Sequence, residues 1–429
     1  MRSTRRLLDR YSSVSTVALL SAAAAVAALN CGTEGEERRE LFDRDASPEA
    51  STPIEDGAVT DRSSDAAPPV RPLPVECASP SCALELTTSH DESFCARLQD
   101  GTVACWGAND KGQLGRGDTS VGSATAARVV GLSNIVALDH TCAVDGDGAA
   151  FCWATGPFLQ GDAGVTTELA PVKLGIPPAK KVSASPRTAC AVVDDGVLCW
   201  GSNASAQVTP DASPDPALPP SVIALGPGAA ILEVAVNEAS FIVREDGTSE
   251  SWGANALLAR ASSLSPDPYP APTSFAQITA LDVVEKRACA AVDGDALCWG
   301  GDIGAIPRRV SMPEPIVQIS TTKTIVNTRS PYDVLKPSRW CAAAASGAVY
   351  CLGDNRSGQA GDGTKDHAYR PVRMVDLPGR AAQVKTTNDT TCVLVTSGDV
   401  YCVGNNYLGQ LGDGFMRRPS LEPVKVILP

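Results

Sequence analysis

Twelve cysteines of this 429-residue chain stand in six pairs, at 95/105, 142/152, 190/199, 289/298, 341/351 and 392/402. Paired thiols can hold a soft metal, lie reduced in a core, or oxidise to a disulfide. Zinc asks for a tighter cluster. No Cys-x-x-Cys spacing occurs, and His90, His140 and His367 do not gather beside the pairs, so no metal is expected. Each pair instead brackets a turn such as Asp145-Gly-Asp-Gly148 or Asp194-Asp-Gly196, with β-prone residues on both sides. That is the pattern of a hairpin whose two cysteines face each other. Opposed residues of an antiparallel pair lie ~4.5–5.5 Å apart at Cα, within the reach of a disulfide. We expect bridges Cys95–Cys105, Cys142–Cys152, Cys190–Cys199, Cys289–Cys298, Cys341–Cys351 and Cys392–Cys402, with a further bridge Cys77–Cys82. Reduced cysteines packed as small apolar side chains are the alternative. Cys31 is the one cysteine left without a partner.

Other chemistry finds no foothold. H-E-x-x-H, G-x-S-x-G, P-loop and G-x-G-x-x-G motifs are absent, and three histidines leave a hydrolytic triad few ways to assemble. Asp145-Gly-Asp147 and Asp293-Gly-Asp295 suggest calcium only superficially, because the rest of an EF-hand loop is missing; they read as turns. No catalytic residue, metal ligand or cofactor is expected, and the chain is not read as an enzyme.

The elements that position the cysteine pairs recur with them. A seventh copy without cysteines runs from Phe241 to Ser251 and on into Trp252-Gly-Ala-Asn255, and the seven copies start about 47–52 residues apart. Such a period signals a repeat architecture. Each unit reads as a short strand such as Asn134–Leu138, the cysteine hairpin, Trp-Gly with a Gly/Asn loop, and a Pro-Val strand such as Pro171–Leu174. Four short antiparallel strands make one propeller blade, and low aromatic content (5%) with 37 Gly and 32 Pro suits short strands and turns. The fold class expected is all-β, a seven-bladed propeller over residues 77–429. The Trp after the second cysteine (106, 153, 200, 252, 299) is expected to wedge between blades as core. The chain starts its repeats at Ala83-Leu-Glu-Leu-Thr87 and ends on Pro423-Val-Lys-Val-Ile-Leu428. Joining these N- and C-terminal strands in one sheet would leave no open edge, so closure of that kind is expected.

Ahead of the repeats, residues 1–30 combine Arg2, Arg5, Arg6 and Arg10 with an apolar run from Val14 to Leu29, the form of an export signal. The run into Asn30-Cys31-Gly32 resembles a bacterial lipoprotein signal, which would make Cys31 a lipidated first residue; a secretory signal cut among Ala24–Ala28 is the alternative. Residues 31–76 are rich in Glu, Asp, Arg, Ser and Pro and read as a disordered tether. Export to an oxidising compartment agrees with disulfides, and a lipid at Cys31 would place the protein at the cell envelope as a membrane-anchored monomer. Loss of a leader holding four Arg and one Asp takes the formal charge from −13 to −16. With no Lys/Arg-rich stripe in the repeats, nucleic acid is excluded as a partner.

The pattern C-A-x-x-x-x-G-x-V-x-C-W-G-x-N-x-x-G-Q-L-G-x-G, read from residues 95 to 117, resembles the repeat of the regulator of chromosome condensation family. It is strongest in units one, six and seven and decays in the middle units. The resemblance implies seven-bladed propellers, some acting on a nuclear GTPase or chromatin, which an exported acidic chain would not meet. A secreted bacterial propeller that looks similar inhibits β-lactamases, so the resemblance implies a protein-binding role.

The loop before each first cysteine recurs once per blade and is expected to form a ring on one face, including Asp91, Glu92, Asp139, His140, Arg187, Asn237, Glu238, Lys286, Arg287, Arg339 and Asp389. The sixth unit lengthens this loop from Thr321 to Ser338 and adds Arg329, Tyr332 and Lys336. Tyr and Arg are typical interface anchors. The candidate partner-binding set is therefore Arg329, Tyr332, Lys336, Arg339, Asp139, His140 and Arg287, and the partner is an unidentified protein or surface macromolecule. Inhibition of an exported enzyme and a polysaccharide-directed enzyme activity are the two alternatives.

Overall fold

The computed structural model describes residues 71–429 except 78, 80, 90, 140, 161–163, 212–217, 302 and 328–333. The expected leader, Cys31 and all but the last few residues of the expected tether lie outside the described residues. From Ala83 onward the chain forms seven four-stranded antiparallel sheets in sequence order, each built from one contiguous stretch. These are the blades of a propeller, and we label the strands of each blade a to d in chain order. Blade 1 comprises Ala83–Thr88, Ser93–Leu98, Val103–Asn109 and Ser120–Arg128. Blades 2 to 7 occupy residues 135–173, 179–223, 231–272, 278–310, 316–373 and 381–425. Blade 6 carries an extra hairpin, Ile325–Asn327 with Val334–Lys336, between its strands a and b.

Strands b and c form the cysteine hairpin. In six blades the two cysteines are register partners with Cα atoms 4.1 Å apart and are bridged. Cys77–Cys82 is bridged as well, just ahead of blade 1. In blade 4 the same register pairs Phe241 with Ser251. Phe241 is buried and stands edge-on to Trp299 of blade 5 at 6.1 Å, so apolar volume takes the place of the bridge.

Apolar side chains on both faces of every sheet leave each blade in need of two neighbours. The core accordingly divides into seven clusters, one per seam. Cys95, Leu114, Leu138 and Trp153 meet between blades 1 and 2, for example, and Phe241, Leu257, Leu281 and Trp299 between blades 4 and 5. All five tryptophans that follow strand c's cysteine or serine position are 0% exposed. Burying an indole of roughly 200 Å² stabilises by about 5 kcal/mol at ~25 cal/mol per Å². Each indole also has its N–H satisfied by the blade before it: Trp153 donates to Gln113 O at 2.8 Å, Trp200 to Pro157 O at 2.6 Å, Trp252 to Gln207 O at 2.9 Å and Trp299 to Leu257 O at 2.7 Å.

Closure differs from the sequence expectation. Ser420–Lys425 is strand d of blade 7, pairing Tyr401 with Lys425 and Cys402 with Val424, and blade 1 has all four strands of its own. The first and last blades therefore meet face to face and not within one sheet. Ala83, Leu86, Phe94 and Trp106 pack against Leu394, Val400, Leu411 and Val426 in a single cluster. Trp106 donates to Gln410 O at 3.0 Å, and Glu76 N and Ala83 N donate to Thr396 O and Gly398 O at 2.8 and 2.9 Å. No edge needs a strand from the other end, because every blade already ends on its own strand d.

Candidate functional site

Strands a and b join at the same end of each blade as strands c and d, so both sets of loops crowd one face. Two local devices hold them there. After the Trp position, strand c has a bulge against strand d in every blade, as between Cys105 and Gly107 or Cys402 and Gly404. Gly107 and Gly404 take φ +92° and +114°, and a Cβ on either would come within 2.5 Å of the carbonyl oxygen of Glu92 or Asp389. Only glycine sits there without strain. The next residue then donates to that oxygen, Ala108 N to Glu92 O at 3.0 Å and Asn405 N to Asp389 O at 2.9 Å, pinning the a-to-b loop. The Asn of the G-x-N motif is buried and folds the c-to-d loop. Asn109, Asn355 and Asn406 each accept from the backbone N–H five residues on, at 3.0, 2.8 and 3.1 Å.

On this face the blade 6 hairpin is tied to other blades near both of its ends. Lys323, just before it, reaches Asp91 of blade 1 at 3.3 Å and Glu285 of blade 5 at 3.0 Å, while its carbonyl accepts from Asn388 of blade 7 at 2.7 Å. Lys336, at the other end, pairs with Asp389 of blade 7, and Leu335 O accepts from Arg356 at 2.8 Å. Burial works against the charge on Lys323, but Asp91 and Glu285 more than offset it and raise its pKa. Burial likewise pushes the Asp91 carboxyl up, and Lys323 and Lys111 outweigh it and hold the group below the ordinary carboxylate range. Glu92 behaves the other way. Burial and the neighbouring Asp389 raise it, although Thr387 Oγ1 donates to it at 2.7 Å.

Beside Lys323 a recess of about 310 Å³ opens among Asp91, Lys111, Thr141, Phe158, Pro186 and Glu285. It continues past Ser185 and Asn237 into a recess of about 490 Å³ over the seam of blades 3 and 4, bordered by Arg187, Gln207 and Glu238. Deeper in the ring, the strands a enclose a channel of about 220 Å³ reached by Glu85, Asp139, Lys181, Glu233, Gln383 and Lys385. Burial drives Glu233 up to about 7, with Asp139 and Asp282 adding to the shift and Lys385 and Lys181 opposing it. Burial opposes the charge of Lys385, yet Asp282, Asp139, Glu233 and Glu85 together hold it above its ordinary value.

The residues singled out from sequence are dispersed by this geometry. Asp139 lines the channel, Lys336 and Arg287 lie on the loop face, and Arg287 donates to Ser338 beside the hairpin. His140, Arg329 and Tyr332 lie outside the described residues. Arg339 is corrected: it is 1% exposed and offers no surface. Its guanidinium lies in the seam of blades 6 and 7, donating to Thr387 O at 3.1 Å, Thr390 O at 2.8 Å and Thr391 Oγ1 at 2.7 Å. Burial lowers it to about 10 despite Glu92, Asp389 and Asp354. It serves where blade 7 has Val403 in place of the staple tryptophan. The carbonyl of Gln359, which a tryptophan would cap, accepts from Thr391 Oγ1 at 2.5 Å and from Arg339 at 3.4 Å.

Sequence reasoning passed over Lys323, the channel pair Glu233 and Lys385, and the c-to-d loop of blade 7. That loop exposes Tyr407 and Phe415 beside Arg417 and Arg418. Its signal is compositional: the same loop in units one and six, the other strong copies of the motif, has no aromatic residue.

Comparison with known proteins agrees with this geometry. Residues 381–410 match the model of the regulator of chromosome condensation (RCC1) repeat. The E3 ubiquitin-protein ligase HERC2 of Homo sapiens, and that of Mus musculus, are each 33% identical over 153 residues, 31% of this chain and 3% of the ligase, so the chain spans a small fraction of these relatives. Yeast RCC1 (Prp20), solved bound to Kap60, is similar in structure with a TM-score of 0.58 at 16% identity, over 75% of this chain and 83% of that one. Human WBSCR16 gives 0.59 at 14% identity, over 76% and 95%. The chain is a seven-bladed propeller whose last blade carries a repeat, residues 381–410, that matches the regulator of chromosome condensation type.

Proposed function

We propose that this protein is exported and uses the loop face of its propeller to bind another macromolecule, in the first place a protein. The observation that carries this is the blade 6 hairpin. Its two strands pair only with each other among the described residues, and its register partners Val326 and Leu335 are 64% and 55% exposed. An isolated two-stranded hairpin is marginal on its own. Here it is anchored at both ends by ion pairs to blades 1, 5 and 7 and holds two apolar side chains outward, the arrangement of a preformed contact surface. Yeast Prp20 has been solved in complex with Kap60 and described for its binding to Gsp1p and histones, which supports a protein partner in kind and not in identity. Seven disulfides support an oxidising compartment. Cys31, the one cysteine outside these bridges, is the proposed lipid attachment point, which would hold the monomer at the cell envelope; no catalytic role is proposed.

Cross-linking on intact cells followed by purification tests this. Val326→Ser with Leu335→Ser, and separately Arg329→Ala with Tyr332→Ala, should each abolish recovery of the partner while leaving the melting curve unchanged. Recovery equal to that of the parent in both double variants would remove the hairpin from the interface.

A further inference from the structure

The c-to-d loop of blade 7, residues 405–419, differs in surface chemistry from the rest of the loop face. Tyr407 is 54% exposed and Phe415 53%, and a guanidinium stands over each ring: Arg417 over Tyr407 and Arg418 over Phe415, both at 5.1 Å. Met416 is exposed between them. The patch extends onto blade 1, because Leu408 lies against Gly122, where a Cβ would come within 2.2 Å of Leu408 O, and neighbouring Val121 is 66% exposed.

The loop is held rigid. Asn406 Nδ2 donates to Phe415 O at 3.1 Å, Arg417 N donates to Asn406 O at 2.6 Å, and Gly414 N donates to Ala124 O of blade 1 at 2.9 Å. Arg417 is kept at φ +59°, a left-handed conformation that disfavours a long side chain. The arginines are not engaged elsewhere in the fold: among the described residues neither has a carboxylate partner, in a chain of net charge −13. Asp413, the one acid of the loop, is occupied by Asn406 Nδ2 at 3.1 Å and Phe415 N at 3.1 Å.

We propose that this loop is a docking site for an acidic, apolar-containing segment of a protein partner. Carboxylates would meet the outward edges of the two guanidiniums, and apolar side chains would lie on Tyr407, Met416 and Val121. Arginine stacked on an aromatic ring keeps its fork free for bidentate contact with a carboxylate and loses little rotamer entropy in making it. The chemistry suits a protein segment better than an anionic bilayer. A short peptide can set its carboxylates on the two guanidiniums alone, whereas a flat bilayer must also approach the surface around them, in a chain of net charge −13. The inference rests on the reading that the loop face binds protein, and it places a second contact at the closure seam, apart from the blade 6 hairpin.

The test uses the whole exported domain and three fluorescent dodecapeptides, four repeats each of Glu-Glu-Phe, Ser-Ser-Phe and Lys-Lys-Phe, measured by anisotropy at low and high salt. The acidic peptide should bind at least tenfold more tightly than the other two and weaken with salt. Arg417→Ser with Arg418→Ser should cost at least tenfold for that peptide alone, and Tyr407→Ala with Phe415→Ala should weaken it too, with unchanged melting curves. Val326→Ser with Leu335→Ser should leave it unaffected. Equal binding of all three peptides, or acidic-peptide affinity unchanged in the arginine variant, overturns the proposal. Loss on the hairpin variant alone transfers the peptide to the hairpin and overturns the seam loop while sparing the hairpin reading. Arginine-dependent sedimentation with phosphatidylcholine–phosphatidylglycerol vesicles, without peptide binding, assigns the patch to a membrane and overturns it as well.

Discussion

The indole N–H of Trp106 donates to the carbonyl oxygen of Gln410 at 3.0 Å across 304 positions of sequence. It joins the first blade to the last by the same contact that joins blades 1 to 5 in succession, so closure is one more seam. Trp106→Phe keeps most of the ring volume and leaves a buried acceptor without its donor, at a cost of ~1–3 kcal/mol. Urea denaturation should report that loss with the sheet signal in circular dichroism unchanged. A variant as stable as the parent would show that the hydrogen bond at the seam is dispensable.

Deleting residues 422–429 should do far more. It removes Val426, 2% exposed in the closure cluster, and strips the pairing from strand c of blade 7. Loss of one buried aliphatic side chain alone costs about 2–5 kcal/mol, and the uncovered edge invites association. Calorimetry and light scattering should find a domain that melts lower and self-associates, whereas removal of an ordinary frayed tail changes neither.

Blade 4 should tolerate reduction but not truncation of its aromatic plug. Mild reductant leaves Phe241 and Ser251 untouched, so the loss on reduction falls on the six bridged hairpins and on Cys77–Cys82. Each bridge is worth roughly 2–3 kcal/mol for loops of this length. Phe241→Ala, by contrast, should cost ~3–5 kcal/mol under oxidising and reducing conditions alike, since it empties volume against Trp299.

The channel gives stability a defined pH dependence. Glu233 is raised to about 7 in the fold from an ordinary 4.5, so the folded state holds its proton where the unfolded chain has released it. Its contribution is present at low pH and is lost as pH rises from about 4.5 through 7, and Glu92, also raised, acts with the same sign. Asp91, lowered, acts in the opposite sense and loses its contribution as pH falls below 3.8. The charges facing Glu233 are Lys385, Lys181, Asp139 and Asp282. Thermal melts should therefore weaken between pH 5 and 7.5, and Glu233→Gln should flatten that decline. An unchanged slope in the variant would place the titrating group elsewhere.

Lys323 ties blade 6 to blades 1 and 5, and Lys323→Ala should release the hairpin without opening the ring. Hydrogen exchange across 325–336 should accelerate several-fold while exchange in strands b and c stays as in the parent. Uniform acceleration would mean that the ion pairs support the whole ring.

The hairpins were legible because cysteine spacing, turn residues and β-propensity all specify the same register, and the bridges form between the residues that spacing pairs. Closure was not. The outer strand of blade 1, Ser120–Arg128, lacks the Pro-Val pair that marks strand d at 171–172, 371–372 and 423–424, so sequence offers blade 1 no fourth strand and leaves the last one seeming spare. Arg339 was illegible for a related reason. Its loop position suggests solvent, and only the substitution of Val403 for a tryptophan in the next blade reveals that a seam carbonyl needs another donor. Ring loops follow from the repeat, but what crosses the ring, such as Lys323 to Asp91 over 232 residues, has no local signature.

Because each indole reaches back to the blade before it, the contacts acquire a direction in time as well as in space. A chain that emerges N-terminus first presents the acceptor loop of a blade first and the donor tryptophan of the next blade soon after, so these seams can close as the chain emerges. Trp106 alone is made long before its acceptor. At ~5–20 residues per second the 304 residues to Gln410 take on the order of 15–60 s, during which Phe94, Leu86 and Trp106 remain an uncovered apolar face. Blade 1 is thus the surface of the nascent chain most exposed to wrong partners, and the arrival of Leu411 and Val426 ends that exposure.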